Sequence, residues 1–284
     1  MTSLAAFIEK AALDALIFEI ETTPKPGLVD LDNTGSHSDM TVSLLRTSAV
    51  SIAPFIGKAA QAGYDMRMLS AKDAFSPLKE IGLLAEREMF LKTQGVNTHK
   101  GAVFSFSLLA GAFGGLIKSR SPAASEICFF AGEICKSHMQ QSLKSAESSP
   151  VTKGDHAYRF CRLTGARGEA ANGFPSIVNI ALPALESALS SGMTQNDAGV
   201  YTLLRLIQAV DDTCIYSRGG EAGLLLSKEL SGKALAGDFM KEAKRMDEIF
   251  IQRRLSPGGC ADLLAAARFI HIITKSKREE YICE

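Results

Sequence analysis

Three polar residues stand directly before the most apolar stretch of the chain. Asn97, His99 and Lys100 precede residues 102–117, which contain no charged residue. This composition predicts a buried helix whose first turn carries the three polar residues. Free backbone N–H groups at a helix start attract anions, and a lysine there adds a full positive charge. The segment therefore predicts a phosphate-binding position, with Lys100 as its strongest candidate. A solvated surface lysine is the alternative interpretation.

Further clusters place charged or polar residues beside glycines at breaks between apolar segments. Cations of this kind suit phosphate oxygens, and carboxylates suit proton transfer or Mg²⁺. A histidine or an Arg-Gly pair is also common in purely structural loops and turns. The candidates in these clusters are Lys25, His37, Asp39, Arg167, Glu169, Asp211, Asp212, Arg218, Gly219 and Gly220.

Glu19 falls on the apolar stripe of the first predicted helix, four residues after Ala15. A carboxylate on that face is partly desolvated, so an unpaired one would be a base of raised pKa or a metal ligand. A satisfied internal salt bridge explains the position equally well.

Asp211 and Asp212 are adjacent, so in a helix their side chains would point about 100° apart. Helical spacing places Asp211 on the apolar face with Leu204 and Ile207. One of the two carboxylates is predicted to bind magnesium and the other to orient it or to support the structure.

Bulk composition excludes several classes of protein. Thirty-one basic and 31 acidic residues balance, which gives no global field for nucleic acid or an anionic membrane. Six cysteines show no metal-binding spacing, and no signal peptide is visible, so we expect a cytoplasmic protein with reduced thiols. The apolar run is too short to span a bilayer. P-loop, Rossmann, zincin and nucleophile-elbow motifs are absent.

Helical periodicity dominates the chain, and alternating strand-like runs are almost absent. The periodicity predicts one all-α domain over residues 1–284, with about ten to twelve helices around the buried helix at 102–117. Residues 24–39 are predicted to form an ordered loop, and residues 145–154 a flexible surface loop. Helices are predicted near 4–20, 41–62, 77–92, 101–118, 122–146, 155–163, 175–191, 196–210, 221–231, 234–252 and 258–276.

Taken in order, six motifs resemble the triphosphoribosyl-dephospho-CoA synthase family. The motifs are TPKPGLVD (23–30), GSHSDM (35–40), NTHKGA (97–102), GARGEA (165–170), DTCIYSRGG (212–220) and SPGGCADLL (256–264). The resemblance implies that ATP donates its triphosphoribosyl group to the 2′-hydroxyl of 3′-dephospho-CoA and releases adenine. The product would be the prosthetic-group precursor of citrate lyase or malonate decarboxylase.

For this reaction we assign hypothetical roles to the candidate residues, of which the resemblance itself matches the acids Glu19 and Asp212. Asp212, Glu19 and Asp39 would serve as base or magnesium ligands, with Asp211 as a further metal ligand. Mg²⁺ is the expected cofactor, a downstream holo-acyl-carrier-protein transferase the expected partner, and a homodimer is possible. The expected substrate contacts are Lys25, His37, Asn97, His99, Lys100, Arg167, Glu169, Arg218, Gly219 and Gly220.

Three other functions stay open from the residues alone. A magnesium-dependent nucleotide N-glycosidase would use water in place of the acceptor. A diverged ribosyltransferase would use another acceptor. A helical scaffold would use the glycine motifs only as tight turns.

Overall fold

The computed structural model describes residues 3–66, 71–117 and 121–281, which form twelve α-helices and no strand. A π-helical turn at Ile177–Ala181 runs directly into α8, and a 3₁₀ turn at Arg278–Glu280 follows α12. The all-α prediction and the predicted number of helices are confirmed. The helices are α1 (Ser3–Glu21), α2 (Val42–Asp65), α3 (Ala71–Lys92), α4 (Lys100–Leu116), α5 (Ala124–Ser148), α6 (Lys153–Cys161), α7 (Gly165–Ala171), α8 (Leu182–Ser190), α9 (Gln195–Ala209), α10 (Thr213–Leu235), α11 (Phe239–Arg253) and α12 (Gly258–Lys275).

Helix α4 lies at the centre and packs against α2, α3, α5 and α12. Its side chains are apolar around the whole circumference, as a helix surrounded by other helices requires. Glycines let α2 approach it closely, because a Cβ on Gly63 would lie 2.0 Å from the carbonyl oxygen of Gly111. The predicted central helix is confirmed. One cluster of buried apolar side chains includes members from α1 to α12, while the extent of the domain over residues 1–284 stays a prediction.

The segment between α1 and α2 is an ordered loop, as predicted. Asp30 accepts hydrogen bonds from the backbone N–H groups of Lys25 (2.8 Å) and Asn33 (3.0 Å). Asp247 of α11 accepts a hydrogen bond from the N–H of Gly27 (2.8 Å). The two carboxylates therefore fix the loop against itself and against α11, and the loop holds Lys25 in the interior.

The prediction of a flexible loop over residues 145–154 was wrong. Helix α5 continues to Ser148, and α6 begins at Lys153, so only residues 149–152 lie between the helices. Thr152 caps α6 by accepting a hydrogen bond from the N–H of Asp155, whose carboxylate accepts one from the N–H of Thr152. This capping box starts the helix earlier than the apolar periodicity indicates.

The GARGEA segment is a short helix, α7. The prediction that Asp211 lies on an apolar helical face was wrong. Helix α9 ends at Ala209, with Val210 in an extended conformation and Asp212 as the N-cap of α10. Asp211 is therefore exposed between two helices and does not share the buried face of Leu204 and Ile207. Asp212 begins a new helix because its carboxylate accepts the free N–H groups of that helix.

None of the helices in the described ranges has the length and apolar character needed to cross a membrane.

Candidate active site

A polar cavity of about 350 Å³ lies where α7, α10 and α12 begin. Its walls also include Ser105 of α4 and residues 209–211, which precede α10. Four carboxylates line it, and Arg162 is the cation among its described lining residues. The carboxylates belong to Glu169, Asp211, Asp212 and Asp262.

Asp262 presents a carboxylate to this cavity from the first turns of α12. The backbone N–H of Ala102 donates a hydrogen bond to it, and no ion pair to it is present in the described part of the chain. Burial raises the pKa of Asp262 well above its ordinary value of 3.8, and the nearby charges of Glu19 and Asp212 raise it further. A carboxyl group of raised pKa in a cavity is suited to take a proton at neutral pH.

Asp212 is buried, and backbone donors surround its carboxylate. Oδ1 accepts from the N–H groups of Cys214 (2.6 Å) and Ile215 (3.2 Å), and Oδ2 accepts from the N–H of Cys260 (2.8 Å). Burial raises its pKa, while these hydrogen bonds lower it. Asp212 thus holds the starts of α10 and α12 together beside Asp262. Its predicted role as base or metal ligand stays a prediction.

Glu19 forms a buried ion pair with Lys25. The Nζ of Lys25 lies 2.5 Å from Oε1 of Glu19 and 2.6 Å from the carbonyl oxygen of the same residue. The sequence left a salt bridge and a free base open for Glu19, and the geometry is that of the salt bridge. Lys25 is only 1% exposed, so its charge acts inside the protein on its neighbours.

His99 lies near this pair at the N-cap position of α4, but its side chain makes no capping hydrogen bond. Its Nδ1 is 2.7 Å from the hydroxyl of Ser48. Burial, and then the charge of Lys25, lower the pKa of His99 to about 4. The imidazole is therefore neutral at pH 7, so it supplies no positive charge for a phosphate.

A second group of predicted residues gathers at the loop before α2. The Nε2 of His37 lies 2.8 Å from the hydroxyl of Ser256, just before α12, and Asp39 lies 3.8 Å from Nδ1 of His37. Arg218 donates to the carbonyl oxygens of Ser36 (3.1 Å) and Arg254 (3.3 Å). These side chains join the loop to α10 and α12. Asp39 is exposed and does not line the polar cavity.

The two glycines after Arg218 shape α10. Gly219 packs on Leu255, whose Cδ2 would lie 2.5 Å from a Cβ at Gly219. Gly220 has φ 60° and ψ −158°, a conformation that is essentially restricted to glycine, and it kinks the helix. Gly219 and Gly220 therefore permit the backbone conformation of α10. Their predicted contact with substrate stays a prediction.

Lys100 and Arg167 lie near a different cavity, between α3, α4 and α5. The Nζ of Lys100 is 3.1 Å from Glu86 of α3, and Arg167 pairs with Asp155 at 2.7 Å. Both Glu86 and Arg167 line that cavity. Asn97 accepts a weak hydrogen bond from the N–H of Lys100 (3.3 Å). Lys100 thus has a protein partner, although about half of its side chain is exposed.

Glu169 faces the polar cavity from α7 but is already hydrogen-bonded. Its carboxylate accepts from the N–H (2.7 Å) and the hydroxyl (2.9 Å) of Ser176. Burial raises its pKa. The residue fixes the turn after α7. Asp262, by contrast, receives one backbone hydrogen bond and has no ion pair among the described residues.

Comparison with known proteins identifies the family. A family model described as ATP:dephospho-CoA triphosphoribosyl transferase matches residues 5–280. A 2-(5''-triphosphoribosyl)-3'-dephosphocoenzyme-A synthase of Pectobacterium atrosepticum is 41% identical over 260 residues, covering 91% of this chain and 86% of that protein. A protein of the same name from Klebsiella pneumoniae is 36% identical over 263 residues, covering 90% and 87%. The chain belongs to this family. The predicted resemblance and the predicted transferase class are confirmed.

For a triphosphoribosyl transferase, the fit of a magnesium ion to these residues matters. Among the described residues, no group of three or more His, Cys, Asp or Glu side chains is placed to hold a metal. Asp211 pairs with Lys228 at 2.5 Å, and Asp212 is occupied by backbone donors. Magnesium in nucleotide sites commonly keeps its waters and binds phosphates plus one or two carboxylates. The described residues therefore fit a protein cage for magnesium poorly, and the metal roles of Asp211 and Asp212 stay a prediction.

Asp262 is the residue that the sequence analysis missed. It lies in the SPGGCADLL motif, between Ala261 and Leu263 in an apolar helix. Like Glu19, Asp262 is a carboxylate on an apolar helical face. The sequence therefore contained the signal.

Proposed function

We propose that the protein transfers the 5-triphosphoribosyl group of ATP to the 2′-hydroxyl of 3′-dephospho-CoA and releases adenine. Family membership supports the reaction. The single observation that supports the site is the carboxylate of Asp262 in the polar cavity, which has no ion pair among the described residues.

In this proposal Asp262 is the general base. It takes the proton of the 2′-hydroxyl while the oxygen bonds to C1′ of the ATP ribose, and the bond from C1′ to N9 of adenine breaks. The departing adenine gains one proton as Asp262 returns to its carboxylate form, so the proton lost by the 2′-hydroxyl ends on adenine. Such a glycosyl transfer passes through an oxocarbenium-like centre, which nearby carboxylates stabilise electrostatically.

Asp212 and Glu19 act on the reaction through Asp262. Their negative charges raise its pKa and keep it a strong enough base near neutral pH. The ion pair with Lys25 fixes Glu19, and the hydrogen bond from Cys260 ties Asp212 to α12. We assign these two carboxylates positioning and electrostatic roles.

The acidic lining of the cavity also bears on how ATP binds. Four carboxylates would repel a bare triphosphate, since like charges in a desolvated site are costly. We propose that ATP is used as its magnesium complex, with the metal arriving on the triphosphate. We further propose that the protein is cytoplasmic and forms a homodimer. A downstream holo-acyl-carrier-protein transferase would then transfer the product to an acyl carrier protein.

Chromatography of adenine release from ATP tests the function. We expect adenine to appear with the coupled product in equal amount, and only when 3′-dephospho-CoA is present. Full-rate adenine release from ATP alone would indicate a glycosidase. Formation of ADP or AMP would place the reaction at phosphorus and contradict the proposal.

A further inference from the structure

An apolar cavity of about 250 Å³ lies between α3, α4 and α5, and the proposed reaction does not use it. Its volume is below the roughly 300 Å³ at which pockets for whole small ligands begin, so it suits one part of a larger ligand. Aliphatic and aromatic side chains dominate its walls. They are Phe75, Leu78, Leu83, Val103, Phe104, Leu108 and Met139.

Ser107 of α4 provides an unpaired hydroxyl in this apolar wall. The residue is 4% exposed, and its Oγ has no hydrogen-bond partner among the described residues. Buried hydroxyls in proteins are nearly always paired, and an unpaired one destabilises the folded state. A ligand that brings an amide or hydroxyl group into the cavity would satisfy it.

Helix α7 lies between this apolar cavity and the polar cavity. Arg167 lines the apolar cavity, while its neighbours Ala166 and Gly168 line the polar one. Lys79 adds a second positive charge to the lining. Arg167 is paired with Asp155 and Glu86 with Lys100, so a negatively charged ligand group would share Arg167 with Asp155. A ligand with a negatively charged group near Arg167 could therefore place one end in each cavity.

We propose that the apolar cavity binds the pantetheine arm of 3′-dephospho-CoA. The arm hydrogen-bonds to Ser107 through an amide, and the diphosphate lies near Arg167. The inference rests on the proposed function, which puts the acceptor ribose beside Asp262. A flexible chain with a few amides fits an apolar channel with one hydroxyl. The adenine of ATP fits less well, because one hydroxyl cannot pair the several donors and acceptors on its edge.

Gly82 of α3 offers a way to fill the cavity without breaking the fold. A Cβ there would lie 3.6 Å from the Ser107 hydroxyl, an ordinary contact. We expect Gly82→Leu to raise the KM for 3′-dephospho-CoA at least tenfold and Gly82→Ala to raise it less. The KM for ATP should stay unchanged. Leu84→Ala is the matched control, because Leu84 lies two residues further on α3 with an exposed side chain.

ADP separates the arm from the rest of the acceptor, since it keeps the nucleoside and the diphosphate but lacks pantetheine. Its inhibition constant against 3′-dephospho-CoA should be the same in wild type and Gly82→Leu. A rise in the KM for ATP, or an equal loss of ADP affinity, would overturn the proposal. An unchanged KM for 3′-dephospho-CoA in a folded Gly82→Leu protein would do so too.

Ser107→Ala provides a second variant in case Gly82→Leu does not fold. Removing an unpaired hydroxyl should leave the melting temperature unchanged or higher, yet raise the KM for 3′-dephospho-CoA several-fold. An unchanged KM would refute the amide contact and with it the proposal. Wild-type adenine release that does not depend on 3′-dephospho-CoA would instead refute the proposed function, and that measurement comes first.

Discussion

Replacing Asp262 by Asn is the most direct perturbation of the proposed site. The substitution keeps the size of the side chain and an oxygen that can accept the hydrogen bond from Ala102. It removes the negative charge and the ability to take a proton. It therefore separates a chemical role of Asp262 from a packing role.

The expected loss of activity follows from the assigned role. A positioned general base contributes about 10²- to 10⁴-fold to the rate, which corresponds to roughly 3–5 kcal/mol in the activation free energy. We expect kcat to fall by that factor. The KM for ATP should change little, because the base contributes to the transition state more than to ground-state binding.

We expect Asp262→Asn to lower activity without lowering the stability of the fold. The pKa of Asp262 is raised in the folded state, so the folded protein binds more protons than the unfolded one above the ordinary pKa of 3.8. Stability therefore falls as pH rises from 3.8 through the folded pKa of this group. Asn cannot be ionised, so Asp262→Asn removes this pH-dependent loss of stability and the electrostatic repulsion from Glu19 and Asp212. At pH 7 we expect the variant to be at least as stable as wild type.

The assay combines a pH profile of kcat with melting curves at the same pH values. In wild type, kcat should rise with pH as Asp262 loses its proton, and this limb should disappear in Asp262→Asn. Asp211→Asn is the matched control, because Asp211 lines the same cavity but is exposed and paired with Lys228. Unchanged kcat in Asp262→Asn would refute the assignment. A large drop in melting temperature would show a structural role instead.

Three further predictions test the surroundings of Asp262. Gly101→Ala should lower kcat with little loss in melting temperature. A Cβ at this position would lie 2.0 Å from Oδ2 of Asp262, so the carboxylate must move. Activity equal to wild type would contradict the placement of Asp262 at the reacting atoms. Glu19→Gln should lower the free energy of unfolding by about 3–5 kcal/mol in urea denaturation, because it leaves the buried charge of Lys25 without a partner. The double variant with Lys25→Met should recover part of this loss. Additive losses would argue against the ion pair between Glu19 and Lys25. Asp212→Asn should lower the free energy of unfolding by about 1–3 kcal/mol in the same assay. An amide has one oxygen and cannot accept hydrogen bonds from the N–H groups at the starts of both α10 and α12. Stability equal to wild type would argue against Asp212 as the cap of both helices.

Sequence patterns predicted the helical architecture well because the apolar periodicity is strong. The uncharged run 102–117 could only be a buried helix, and it is the central helix α4. Errors arose where polar side chains decide the backbone. Thr152 and Asp155 start α6, and Asp212 starts α10, each through hydrogen bonds to free N–H groups that a count of apolar residues does not register.

The candidate site was predicted less completely than the fold. Residue types and motif order indicated which segments meet, but not which charges neutralise each other. Glu19 with Lys25, and Lys100 with Glu86, are paired across different elements. A sequence shows each charge separately, so a paired lysine and a free lysine look alike until the packing is known.

The pairing pattern supports our assignment of Asp262 as the reactive carboxylate of this cluster. Glu19 forms an ion pair with Lys25, and Asp212 accepts hydrogen bonds from three backbone donors, so each carboxylate has partners in the interior. Asp262 receives one backbone hydrogen bond and stands between these two negative charges. A third buried carboxylate in such a place costs free energy when it is ionised, and gaining a proton relieves that cost. The neighbouring carboxylates therefore make Asp262 a stronger base without taking part in the proton transfer themselves.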